Sequence, residues 1–189
     1  MRSITDLEAI IGPSRVPPPP VNWTLFEEGT GLVFPDDYKD WASRYSTLEF
    51  DEFLLVGHPG TSETPQEYVQ SWADVLENMR RWGERFDQIE LVDDRDVPRP
   101  APPFPVYPAP QGLFPWGNTS NGDYCCWLTD PDPGKWTIVI TTLHRWWHYP
   151  GTFTDVLVGL LNGHVRCPTF GPEGLVGATV EEAGWIRES

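Results

Sequence analysis

The chain is 189 residues long, with 28 acids against 13 bases, a net charge of −15 and 39% apolar residues. That length supports one hydrophobic core without metal or disulfide staples. The acid excess argues against a nucleic-acid binder and against an anionic membrane surface, and no apolar run approaches the ~18 residues that cross a bilayer.

Residues 4–11 read as a short helix, cut off by Pro13 and by the extended spacer Pro17–Pro20. The acids inside MRSITDLEAIIGPSR set this stretch apart from a signal peptide. The expected division is an N-terminal extension over 1–20, a domain over 21–163 and a C-terminal extension over 164–189. Asn22 is placed to cap a helix through Glu28, with Val21 and Phe26 as a hydrophobic staple and Gly29 and Gly31 to end it. Pro35 suits the start of a second helix, with Asp36 and Asp37 where the helix dipole favours them. Tyr38, Trp41, Ala42 and Tyr45 form its apolar face. Phe53–Val56 reads as a buried strand. Thr64-Pro65-Gln66-Glu67 is a capping box. It opens a helix with Tyr68, Val69, Trp72, Leu76, Met79 and Trp82 at helical spacing and Gly83 as its stop.

Seven prolines between 98 and 110 predict a connector whose backbone stays out of the sheet. The alternative is a proline-rich ligand for an SH3-like partner. Strand-like segments follow at Leu113–Trp116, Asp123–Leu128, Trp136–Thr142 and Trp146–Tyr149. They are punctuated by the turn-rich Gly117–Asp123 and by Asp130-Pro131-Asp132-Pro133-Gly134. Thr152 caps a last helix with Phe153, Val156, Leu157, Leu160 and Leu161 on one face and Gly163 beyond it. From His164 there is little periodicity apart from a turn at Val180–Trp185. Helices with one strand, then strands closed by a helix, give an α+β class.

Neither catalytic nor metal-binding residues emerge. His144 and His148 lie four apart but lack a third ligand nearby. Cys125 and Cys126 point to opposite faces of a strand, in an acidic stretch that disfavours a reactive thiolate. With Cys167 they suit a reducing, cytoplasmic setting. The clusters Asp36/Asp37, Asp51/Glu52 and Asp93/Asp94/Asp96 read as solvated or binding surfaces rather than a glycosidase pair. No phosphate loop, GxSxG elbow or HExxH helix is present. No cofactor is expected. Of ten tryptophans, Trp23, Trp41, Trp72, Trp82, Trp116 and Trp127 lie on apolar stripes and are expected in the core. Trp136, Trp146, Trp147 and Trp185 are expected to be partly exposed, as interface tryptophans are.

Two stretches carry a resemblance. WTLFEEGTGLVFPDDYKDWASRYSTLEFDEFLLVGHPG is similar to the opening of the SUKH superfamily, through Trp23, Phe34-Pro35-Asp36-Asp37-Tyr38, Tyr45, Phe53–Val56 and Pro59. GLFPWGNTSNGDYCCWLTD resembles its second motif, through Trp116, Gly117, Asn121, Gly122, Asp123 and Trp127. The likeness spans about residues 21–163 and includes the Phe153–Leu161 helix. Ser46 departs from it, standing where the family usually has glycine. The resemblance implies a mixed, mostly antiparallel sheet packed against helices. Its motif residues would be structural: Pro35 and Tyr38 in a helix, Trp116 and Trp127 as core or cleft aromatics, Gly122 at positive φ, and Asp123 bonded to the turn amides.

The superfamily includes fungal cell-wall-assembly regulators and bacterial toxin-immunity proteins. The resemblance therefore implies a protein that binds a toxin, often a nuclease, without doing chemistry. An acidic chain would be steered onto such a basic domain. The expected contacts are the acids of the first half, Asp36, Asp37, Glu49, Asp51, Glu52, Asp93 and Asp94. The alternative is a regulatory or scaffold module that recruits proteins through its proline-rich segments.

Overall fold

Local capping chemistry sets the helices. In the computed structural model, which describes residues 2–172 and 174–183, α1 is Ile4–Ile11 and α2 is Trp23–Thr30. The Asn22 side chain accepts the Leu25 N–H at 3.2 Å, and Gly31 closes α2 in the left-handed region. Helix α3 is Asp36–Arg44, with Pro35 at the cap because its ψ of 144° is still extended. The long helix expected from Thr64 is two helices, α4 (Pro65–Ser71) and α5 (Ala73–Arg85). They break at Trp72, whose φ of −100° and ψ of 6° leave the helical region while its ring packs against both hydrophobic clusters. Gly83 lies inside α5 rather than ending it. Thr152 and Asp155 form a reciprocal capping box on α6, Phe153–Leu161.

Among the described residues nine strands form one sheet: β1 (Leu48–Phe50), β2 (Leu54–Val56), β3 (Ile89–Val92), β4 (Pro98–Ala101), β5 (Leu113–Thr119), β6 (Tyr124–Leu128), β7 (Thr137–Thr141), β8 (Arg145–Tyr149) and β9 (Val180–Glu182). Their order is β4-β3-β8-β7-β6-β5-β2-β1-β9, and every pair is antiparallel except β3 with β8. The fold is α+β with a mixed, mostly antiparallel sheet. Four strands, β1, β3, β4 and β9, are not among those expected from the sequence, whereas β2 is. The segment at Phe53–Val56 is half of a hairpin with β1. The region after His164 supplies β9. The start of the proline run does join the ladder, as β4, with Pro98 opposite Val92 and Pro100 opposite Glu90. A proline is tolerated there because β4 is an edge strand and the missing N–H faces outward.

Alternation sends side chains to two cores. On one face Trp127, Ile138, Ile140 and Trp147 join the large cluster built with Phe34, Tyr38, Trp41 and Phe153. On the other, Leu113, Cys126, Val139 and Trp146 meet Leu76 and Met79 of α5. With both faces covered there, Trp146 and Trp147 are 2% and 0% exposed and Trp136 is 3% exposed, against the expectation of partial exposure. Trp23, Trp72 and Trp82 are only half-buried, and Trp185 lies outside the described residues. The large core also takes in Ile4 and Leu7 from the first twenty residues and Cys167, Phe170 and Leu175 from beyond residue 163.

Two glycines are required by geometry. A Cβ on Gly117 would sit 2.5 Å from the Leu55 carbonyl oxygen, where β5 passes β2 beside a bulge. Gly122 holds φ +87° in the β5–β6 turn.

Candidate functional site

The seven acids expected at an interface lie in three places. Asp36 and Asp37 rim a cleft of about 220 Å³ walled by Trp127, Trp136 and Phe153, with Arg2 also at its lining. Asp37 is partly engaged: its Oδ2 accepts the Thr154 N–H at 2.9 Å and so ties the start of α3 to the start of α6. Asp36 is exposed. Tyr38 packs edge-on to Trp127 at 4.6 Å between ring centroids, which fixes the cleft wall. Among the described residues the Trp127 indole N–H has no acceptor. Aromatic walls with carboxylates at the rim suit a cationic side chain.

Glu49, Asp51 and Glu52 occupy the β1–β2 hairpin. The Phe53 N–H donates to the Phe50 carbonyl at 2.9 Å, closing a two-residue turn in which Asp51 and Glu52 both hold φ 52°. Turns of this hand favour glycine and asparagine. Asp51 is held in place by β9: its Oδ1 accepts the Thr179 N–H at 2.6 Å and the Thr179 hydroxyl at 2.8 Å. Glu52 is exposed and Glu49 half-buried.

Asp93 and Asp94 sit in the β3–β4 turn. Asp93 accepts the Arg95 and Val97 N–H groups, each at 2.9 Å. The Val97 amide is the main cause holding its carboxyl below the usual range. Asp94 accepts the Trp147 indole N–H at 2.9 Å. Six strand spacings separate β3 from β1, roughly 29 Å at ~4.8 Å each. The structure therefore does not bring the seven acids together.

The outer face near β1 holds residues that the sequence pattern does not single out. Glu49 lies opposite Glu181 of β9 on one side and opposite Leu55 of β2 on the other. Leu55 lies opposite Asn118, and Asn118 opposite Tyr124. The signal for Glu181 is faint: three residues of strand in a stretch with several glycines.

The interior holds several titratable groups. His58 is fully buried; its Nε2 bonds the Ala42 carbonyl at 2.9 Å and its Nδ1 accepts the Gly60 N–H at 3.0 Å. This fixes the Nε2–H tautomer, and burial pushes the imidazole below its ordinary value. His144 stacks edge-on against Trp82, whereas His148 bonds Thr137, so the pair does not converge. Among the described residues no group of three or more His, Cys, Asp or Glu is placed to hold a metal. Cys125, Cys126 and Cys167 are buried and free, and burial pushes the Cys167 thiol up to about 12. Asp123 is also fully buried. Its Oδ2 accepts from the Thr119 hydroxyl at 2.5 Å rather than from the turn amides, its Oδ1 has no hydrogen-bond partner among the described residues, and burial raises its carboxyl. Pro35, Trp116 and Gly117 are also buried, and Asn121 is exposed in the turn. Ser46 donates its N–H to Glu182 at 2.9 Å.

A family model of the SUKH group, described as SMI1-KNR4 cell-wall, matches residues 22–151. The span starts at the α2 cap and ends just before α6, so the closing helix lies beyond it. No curated protein and no solved structure is significantly similar to the chain.

Proposed function

The chain belongs to the SMI1-KNR4 cell-wall family of the SUKH group, and on that footing we propose that it is a non-enzymatic binding protein, an immunity protein that neutralises a basic toxin domain by direct contact. The observation that carries this reading is the charge of −15 in a fold whose buried titratable groups serve packing. A nuclease-type toxin presents cations for phosphate. An acidic partner is drawn to that surface and covers it, and a specific complex needs only about 800 Å² per partner. The site of action is the cytoplasm. No helix among the described residues is long and apolar enough to cross a membrane.

The test is co-expression with a candidate basic toxin domain, read as cell survival, with the association rate followed against salt. Survival with a rate that falls about tenfold or more between low and high salt is expected. A complex whose association ignores salt overturns the electrostatic mechanism, and no survival overturns the immunity reading.

The family's description favours a second reading, a regulatory module of the cell-wall-assembly type that recruits proteins through proline-rich sequence. Deleting 98–110 is a poor test, because it removes β4. Pro105→Ala combined with Pro110→Ala alters positions outside the strands instead. Lost partner binding in a folded variant favours the scaffold.

A further inference from the structure

We propose that the docking surface is the open part of the sheet's outer face, centred on Leu55 and the Glu49–Glu181 pair. Its occupant is a protein surface that presents a lysine or arginine flanked by apolar side chains. This rests on the binding-protein reading above and names the site and the partner's chemistry.

Alternation exposes the row. Leu48 and Phe50 of β1 and Leu54 and Val56 of β2 are buried in the large core. Glu49 and Leu55, between them, project to the opposite face. Register then aligns Glu181, Glu49, Leu55, Asn118 and Tyr124 across five adjacent strands. The same face is covered farther along, where α5 packs on Leu113, Cys126, Val139 and Trp146. The row runs out from the edge of that cover: Tyr124 packs against the second cluster, Leu55 is 36% exposed, and Glu181 is exposed.

Its chemistry is acidic across the pair, although Arg15 lines the cleft that Glu181 and Glu182 share. Like charges directly opposite on neighbouring strands destabilise a sheet. Here two glutamates oppose each other, and among the described residues neither takes part in an ion pair. A cation held between the two carboxylates reverses that repulsion. Leu55 and the partly buried Tyr124 offer apolar contact beside it. The surface is also rigid: Asp51 pins β9 to the hairpin through Thr179, and β5 lies against Leu55 at Gly117. A preordered surface loses less freedom on binding. The Asp36/Asp37 cleft is the competing site, but Asp37 is already bonded to α6. At the β3–β4 end Asp93 and Asp94 are both engaged.

The probe is a blocked peptide of alternating lysine and leucine, titrated into the isotopically labelled full chain and followed by amide chemical shifts. Shifts are expected at Glu49, Leu55, Asn118, Tyr124 and Glu181, with none from an alternating glutamate–leucine peptide. Leu55→Lys and Glu181→Lys, each checked for an intact melting transition, are expected to weaken binding at least tenfold, whereas Glu28→Lys, at an exposed acid of α2, leaves it unchanged. Shifts centred on Asp36/Asp37 or on Asp93/Asp94, or no shifts at all, overturn the proposal. Survival of toxin-expressing cells separates the two claims. Peptide mapped to this face without survival refutes the immunity role and keeps the surface. Survival retained by both variants refutes the surface and keeps the role.

Discussion

The two ends of the sheet hold the same kind of residue and treat it differently. At the β3–β4 end the acids are used within the chain. Asp93 caps its own turn, Asp94 holds Trp147, and Glu90 and Asp96 both pair with Arg145. At the β1–β9 end Glu49 faces Glu181, while Asp51 is bonded to Thr179. A carboxylate with a donor in its own chain serves the fold. One set against another carboxylate weakens the fold and is left for something outside it. The count of acids, equal in kind at both ends, says nothing of this; cross-strand register does.

Five measurements break or sharpen that contrast. Trp147 is fully buried at the β3–β4 end, so Trp147→Ala costs about 3–5 kcal/mol in urea unfolding. Behind the open end, His58→Ala strands the Ala42 carbonyl and the Gly60 N–H, at about 2–4 kcal/mol. The same histidine sets a pH response. Burial depresses its folded value below 6.5, so the unfolded chain takes up the proton first. Its stabilising contribution is complete above pH 6.5 and drains away as pH falls from there toward the depressed value. Half-buried His148 acts in the same sense. Asp123, raised by burial, acts oppositely: its contribution is greatest below 3.8 and is lost as pH rises through its raised value. Unfolding at pH 7.5 and 5.5 is therefore expected to show lower stability at 5.5, and His58→Gln to flatten the difference. Asp94→Ala removes the acceptor for Trp147 from an exposed turn and costs about 1 kcal/mol, read as a lower urea midpoint. The smallest effect has the opposite sign. Glu181→Gln relieves the cross-strand repulsion and stabilises the free protein by about 0.2–1 kcal/mol, seen as a raised midpoint. A lowered midpoint instead would mean that Glu181 supports the fold in the way Asp94 does.

Legibility follows the range of the interaction. Asn22, Thr64 and Thr152 cap the helices they precede, because a cap is written within four residues. The four strand-like segments from Leu113 to Tyr149 are all in the ladder, since alternation and turn residues are local too. What escapes a reading of the sequence depends on distant partners. The proline run looks excluded from a sheet until β3 is known to offer it an outer edge. Val180–Glu182 is too short to signal a strand without β1 beside it. Trp146 and Trp147 suggest surface positions because a single strand does not reveal that both of its faces are covered. The Trp72 break is equally non-local, since its ring sits between two cores. At the candidate site the acids are visible as residues, but which of them are already engaged is not, because Asp51 finds Thr179, Asp94 finds Trp147 and Asp37 finds Thr154 across long stretches of chain.

The pairing of β1 with β9 also sets a schedule. On the ribosome β1 emerges early, and β2 follows within a few residues, but the neighbour on its other side is not translated until α6 has been made. Glu182 then reaches back to Ser14, Arg15 and Ser46, so the same late strand fastens the beginning of the chain. Contacts so far apart in sequence form slowly. On the proposed surface, a nascent chain halted before β9 carries only half of the glutamate pair, so binding there would wait for β9.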